Sequence, residues 1–229
     1  LGSLANNEKE VLKFATKNID EPIAGIVIGF DTIKAETVIV SSKPRLDFCR
    51  ALSFLIEKQY LTHIDNESEI HQTAVISSTA TLEASVFIGE NTIIEHNVVI
   101  HKGTQIGSNC IIRANSVIGS QGFGFEQSQD KTWIRFPHLG SVIIKDNVEI
   151  GALNGICVGA LDDTVIGEGV KTDNLVHIAH NCNIGKNSIL TACTELSGGV
   201  TLGENVWMGP NSSTMQKITI ADDALIGLA

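Results

Sequence analysis

Residues 82–118 read LEASVFIGENTIIEHNVVIHKGTQIGSNCIIRANSVI, and an aliphatic side chain falls on every sixth position: Leu82, Ile88, Ile94, Ile100, Ile106, Ile112 and Ile118. The beat starts earlier, at Ile70 and Ile76, and resumes after a pause at Ile144, Ile150 and Ile156. After a second break it runs Ile166, Thr172, Ile178, Ile184, Leu190, Leu196, Leu202, Met208, Thr214, Ile220 and Ile226, so twenty of the twenty-three positions are Ile or Leu. Neither the 3.6-residue period of an α-helix nor the two-residue period of an ordinary strand produces a six. A triangular coil does: three hexads make one turn, and residues eighteen apart stack at about the 4.8 Å strand spacing. The chain is therefore expected to be mainly β, a parallel β-helix. Its aliphatic residues should point inward and share the interior with the smaller Ala, Val, Ser, Thr or Cys four places later. The "IGEN", "IGSN", "IGKN" and "LGEN" repeats suit tight corners between short strands.

Working outward, residues 1–65 lack the hexad and read as a small α/β domain. "IAGIVIGF" (23–30) and "ETVIVSS" (36–42) have strand character. A helix is expected after Ser42, with Pro44 in its first turn and Leu46, Cys49, Leu52, Leu55 and Ile56 on its buried side. "HIDNESEIHQ" (63–72) is the hinge, and 66–229 is the coil domain. The first interruption, 119–141, holds three of the eight Phe and one of the two Trp and predicts an extruded hairpin. Its aromatics either pack on a neighbouring coil or wall a ligand pocket, with Phe123 and Trp133 as candidates for the second role. The second interruption is short. Ile156 to Ile166 exceeds a hexad by four residues and contains "GALDDT" (159–164).

Composition narrows the functional classes. No apolar run approaches the roughly 18 residues that span a bilayer, and the N-terminus has no basic-then-apolar secretory pattern, so a soluble, cytoplasmic protein is expected. Five cysteines without a CxxC pair suggest reduced thiols rather than a disulfide framework or zinc ribbon. A formal net charge of -10 weighs against an extended nucleic-acid surface.

Among the seven histidines, His96 and His101 have the HxxxxH spacing also seen in the metal-dependent γ-carbonic anhydrases. No third histidine lies eighteen residues from either, so no metal site is assigned. His177 and His180 lie in "DNLVHIAHNCNIG", and the hexad phase puts His180 on an outward corner. An imidazole there is either a solvated corner residue or a general base for acyl transfer to an amine. Asp173, seven residues earlier, is a candidate to fix its tautomer. Gly198 stands one coil after His180, where its N–H could stabilise an oxyanion; equally, Gly198 and Gly199 could simply form a tight corner.

The hexads of residues 70–229 resemble the hexapeptide-repeat acyltransferase superfamily, whose members form left-handed parallel β-helices that usually trimerise. The left hand is an implication of that resemblance. More narrowly, "GFGF…W…P.LGSV", "GALDDTVIG", "DN…IAHN" and the glycine one coil later are similar to the UDP-3-O-(3-hydroxyacyl)glucosamine N-acyltransferases of lipid A biosynthesis. "SLANNEKEVLKFATKN" resembles the start of that family's uridine-binding N-terminal domain. The resemblance implies His180 as base, Gly198 as oxyanion donor, and Asn18, Asn174 and Lys217 among the substrate-binding residues. It implies a 3-hydroxyacyl donor on acyl carrier protein, the 2-amine of a UDP-glucosamine derivative as acceptor, no further cofactor, and a homotrimer burying outward residues such as Val99, Ile111 and Trp207. There are departures. "IDEP" follows Asn18 where the family has a Pro-Lys-Tyr-like run, "CVG" (157–159) replaces Asp-Arg-Gly, and Lys217 replaces a second histidine. The chain also stops at Ala229, without the C-terminal helices of the family. A sugar acetyltransferase using acetyl-CoA and a non-catalytic β-helix module are the competing readings.

Overall fold

In the computed structural model, residues 11–17, 23–61 and 66–227 are described. They fall into two compact units. One combines the N-terminal segment with residues 124–138, and the other is the coil, 65–123 with 139–229.

The coil is a left-handed parallel β-helix. Two-residue strands stack into three parallel sheets, one per side of the triangle. The first face runs from Glu69–Ile70 to Thr219–Ile220, the second from Val75–Ile76 to Leu225–Ile226, and the third from Thr81–Leu82 to Ser213–Thr214. Pairing registers Ile70 with Ile88, Ile94 with Ile112 and Ile178 with Leu196, each eighteen residues apart as the hexad requires. Ile88, Ile100, Ile106, Ile112, Ile118, Ile150, Ile156, Ile166 and Ile178 are completely buried. The small residues four places later are buried as well, and their hydroxyls bond to corner carbonyls, as from Thr92 to Gly107 (2.7 Å) and Ser116 to Gly151 (2.7 Å). Interior hydroxyls are thus tolerated where they find a backbone acceptor, as these do; the buried Thr104 hydroxyl has no such partner among the described residues.

Two residue types build the corners, for different reasons. The second corner residue takes a left-handed φ, and asparagines hold it at Asn91, Asn97, Asn109, Asn115, Asn147, Asn181, Asn187, Asn205 and Asn211. Asparagine tolerates that region better than most residues. The glycine after the aliphatic residue is needed for close stacking instead. A Cβ on Gly185 would run into the carbonyl oxygen of Gly203, and one on Gly89 would lie 2.6 Å from the carbonyl carbon of Gly107.

Both interruptions leave the stack in register. Ile106 pairs with Ile144 across the first and Ile156 with Ile178 across the second. Beside the second, Thr172 takes an aliphatic position for a polar reason. Its hydroxyl accepts from Gly151 N–H (3.0 Å) and donates to Asn154 Oδ1 (2.8 Å), while Asn154 Nδ2 donates to the carbonyls of Ala152 (3.0 Å) and Asp173 (2.9 Å). This buried network knits the coils where the insertion disturbs the backbone ladder.

In the other unit, β1 (Leu12–Phe14), β2 (Ile23–Gly29) and β3 (Ala35–Val40) form a parallel sheet in that order. Helix α1 (Pro44–Glu57) starts with Pro at its first positions and buries Pro44, Leu46, Phe48, Cys49 and Leu52. Leu55 is only half-buried and Ile56 is 37% exposed, so the packed stripe turns through Phe48 rather than through the last turn. The strands Phe125–Gln127 and Trp133–Arg135 make the expected antiparallel hairpin. It packs within this unit. Phe136 meets Phe14 and Phe48 at centroid distances of 6.3 and 6.1 Å, the Cys49 thiol donates to Arg135 O (3.1 Å), and Arg45 pairs with Glu126. The unit is therefore discontinuous in sequence, its core being completed by a segment extruded from the coil.

Candidate active site

The edge between the third and first faces carries His180, Gly198 and Gln216 on successive coils, with Asn181, Gly199 and Lys217 beside them. The spacing argument for His180 and Gly198 holds in three dimensions. A Cβ on Gly198 would lie 2.7 Å from both Cε1 and Nε2 of His180, so the ring lies directly against that glycine. Gly199 N–H donates to His180 O (2.8 Å), which closes the corner.

The tautomer of His180 follows from its neighbour. Nδ1 lies 3.0 Å from Asn181 Oδ1. That oxygen also accepts from Ala160 N–H (2.9 Å), while Asn181 Nδ2 donates to Asp162 O (3.2 Å), so the amide cannot be turned round. An amide oxygen only accepts. Nδ1 therefore carries the proton, and Nε2, the nitrogen beside Gly198, keeps its lone pair. "GALDDT" is thereby explained: the short insertion supplies Ala160 and Asp162, which clamp Asn181, and Thr164, whose hydroxyl accepts from Asn181 N–H (2.9 Å).

Asp173 does not occupy the orienting place. It lies one corner earlier, between the second and third faces, and its Oδ1 accepts from Asn174 N–H (2.7 Å). Asn174 Oδ1 in turn accepts from Ala152 N–H (2.8 Å), a staple between coils. A separation of seven residues puts a side chain on the wrong corner, whereas the adjacent Asn181 reaches the ring. Its adjacency within "IAHN" was the available signal.

At four other corners the first corner residue sends its N–H to an outward carboxylate: Lys102 to Glu83 (2.9 Å), Ser108 to Asp146 (2.7 Å), Ala114 to Glu95 (3.0 Å), Glu204 to Asp222 (2.8 Å). Ala179 stands before Gly198 where Glu83 stands before Lys102, and alanine offers nothing. Among the described residues, none accepts from Gly198 N–H. These carboxylates mark where an anionic oxygen sits at such a corner, and Gly198 presents the same donor unclaimed.

A cleft of about 580 Å3 opens here. It is lined by Phe123, Cys157, His177, His180, Glu195, Ser197, Gly198 and Met215, together with Ser120, Gln121, Ala179 and Gln216. Phe123 is 88% exposed on its rim. Lys217 lies on the same edge, its N–H donating to Gly198 O (3.0 Å) and its Cγ against the Cα side of Gly199. Trp133 sits on the hairpin, 65% exposed, and Asn18 lies outside the described residues. His96 Nδ1 bonds to Ser77 Oγ (2.8 Å) and His101 Nδ1 to Glu83 (3.1 Å). Among the described residues no group of three His, Cys, Asp or Glu could hold a metal ion, and no helix is long and apolar enough to cross a membrane.

Known proteins resemble the chain in sequence and fold. The family model for the bacterial transferase hexapeptide (six repeats) matches residues 85–120 and 163–198, the second stretch running through His180 to Gly198. The UDP-3-O-acylglucosamine N-acyltransferase of Dechloromonas aromatica is 57% identical over 81 residues, 35% of this chain and 23% of that protein. Proteins of the same name from Campylobacter lari and Bordetella pertussis are 41% and 42% identical over 109 and 114 residues, each 48% of this chain and 34% and 31% of theirs. The matches thus span a quarter to a third of the relatives' length. A UDP-N-acetylglucosamine acyltransferase from Campylobacter jejuni shares the fold, with a TM-score of 0.56 at 24% identity over 70% of this chain and 66% of that one. Residues 85–120 and 163–198 thus match bacterial transferase hexapeptide repeats, and the chain is similar over part of its length to UDP-3-O-acylglucosamine N-acyltransferases.

Proposed function

We propose that this protein is an N-acyltransferase of lipid A biosynthesis. It moves a 3-hydroxyacyl group from acyl carrier protein, a co-substrate rather than a bound cofactor, to the 2-amine of a UDP-3-O-acyl-glucosamine. The observation that carries the reading is the pairing of an Nε2 lone pair with an unclaimed backbone N–H across one coil step. The amine nitrogen attacks the thioester carbonyl and gives a proton to His180 Nε2. Gly198 N–H bonds the resulting oxyanion. Collapse breaks the carbon–sulfur bond, and the thiolate takes the proton from His180, leaving amide and thiol. Lys217, on the same edge, serves the nucleotide phosphates as a point charge, and Phe123 on the rim covers the acyl chain. The functional assembly is a homotrimer acting in the cytoplasm. Exposed outward residues support the trimer: Val75, Ile93, Trp207 and Leu225 on the second face are 40–75% exposed.

Acyl transfer to a UDP-amino sugar, compared between carrier-protein and CoA donors, tests the reading. His180→Ala should lose about 10²–10⁴ in kcat while still binding sugar nucleotide. His177→Ala, off that corner, should lose far less. Near wild-type turnover of His180→Ala would refute the assignment. Lys217→Met should raise KM for the sugar nucleotide much more than for the acyl donor, and equal effects would remove Lys217 from the phosphate role.

A further inference from the structure

The cleft floor holds one fixed charge that the proposed mechanism leaves idle. Glu195 is the only carboxylate among the described lining residues, and no Lys or Arg is among them. It is half-buried, in register with His177 on one side and Ser213 on the other. Its carboxylate is turned forward along the strand: Ser197 Oγ donates to Oε1 at 3.2 Å and lies 3.5 Å from Oε2. Ser197 immediately precedes Gly198, so the charge is drawn to the corner where the His180 ring rests. An ionised carboxylate only accepts, at about four lone-pair sites across its two oxygens, and one hydroxyl leaves most of that capacity for a ligand.

We propose that Glu195 is a specificity-determining residue that receives the acceptor's amino group and makes the cleft select an amine over a hydroxyl. This rests on the acyl-transfer reading. An ammonium offers three donors and a positive charge to the site, whereas a hydroxyl offers one donor and none. The group enters as ammonium against Glu195 and loses one proton to bulk water. As the free amine it attacks, and its second proton passes to His180 Nε2.

The test is binding of UDP-glucosamine and of UDP-N-acetylglucosamine, which lacks the basic amine, to the full chain by calorimetry between pH 7 and 9. The wild type should prefer the amine roughly tenfold, as a charge-assisted bond of moderate strength implies, and the preference should fade as the amine deprotonates. Glu195→Gln should bind the acetylated sugar as before and lose both the preference and its pH dependence. His177, His180 and Cys157 are the other titratable groups lining the cleft. His177→Gln should keep the preference, which separates titration of the amine from that of the neighbouring imidazole. A Glu195→Gln variant that retains the tenfold preference, or a wild type that binds both sugars equally, overturns this inference and leaves acyl transfer standing. A wild type that binds neither sugar overturns the acceptor assignment itself.

Discussion

His180 owes its orientation to an amide whose two polar ends are both committed, to Ala160 and to Asp162. Replacing that amide by a carboxylate keeps the acceptor for Nδ1–H and adds a negative charge that favours the imidazolium. If His180 is the base, as proposed, Asn181→Asp should therefore move the acid limb of the kcat/KM profile to higher pH, because the ring must be neutral to take a proton; an unmoved limb would count against His180 as the base. Gly198→Ala tests the other side of the ring. The new methyl would lie 2.7 Å from Cε1 and Nε2, so the imidazole must shift. A displacement of that size should cost about 10² in kcat with little change in urea midpoint. A different residue contributes to the pH dependence of stability. Lys102 N–H, with His101 close by, holds the Glu83 carboxyl below its ordinary value of 4.5. A depressed folded value means that the stabilisation is present above the unfolded pKa and disappears as pH falls through the folded one. Glu83 is exposed, so the effect is small. Glu83→Gln should be slightly less stable than wild type at pH 7, and the gap should close in urea titrations as pH falls below the ordinary carboxylate range.

The hexad as an element joins an apolar demand with two polar ones. Thr172 shows the conflict, since a regular beat asks for Ile or Leu there. Thr172→Val would strand the Gly151 N–H and Asn154 Oδ1 in the interior. We expect a loss of about 1–3 kcal/mol despite the added hydrophobicity, the usual penalty for buried groups left unpaired. The corner asparagines make a second case. Asn97 has φ 57° and its Nδ2 donates to Asn115 Oδ1 at 3.3 Å on the next coil. If conformation dominates, Asn97→Gly should be near neutral and Asn97→Ala should cost about 1 kcal/mol. Equal losses would shift the credit to the side-chain ladder. Thermal or urea unfolding of the two variants separates these outcomes.

Across the whole molecule, burial sorts the cysteines. Cys193 is exposed on a corner, while Cys49, Cys110, Cys157 and Cys182 are buried. Desolvation raises all four buried thiols, Cys182 to about 11. A thiol reagent at about pH 8 under native conditions should therefore modify Cys193 first, with the others reacting only on unfolding; mass spectrometry of the labelled peptides checks the order. The apolar outward positions of the second face bear on assembly in the same way. A hydrophobic ladder interrupted only by charged Glu149 and Lys171 is the kind of surface another chain covers. Sedimentation at micromolar concentration should give a trimer, and a stable monomer would count against it.

The sequence by itself determined the coil, its inward residues and the stacking of Gly198 on His180, because each depends only on a period that the stretch after the last insertion keeps. The tertiary structure alone decided what crosses an interruption. Asn181 meets Ala160 and Asp162, Asn174 meets Ala152, and Thr172 meets Gly151, none of them at a multiple of eighteen residues. The hairpin likewise joined α1 rather than the coil it leaves. An insertion changes the separation of residues that end up adjacent, and how much of the inserted chain is spent on a turn or extruded altogether is settled by packing. Periodicity therefore places residues on a face, but the partner that fixes the His180 imidazole is chosen by hydrogen bonds that close only in the folded chain.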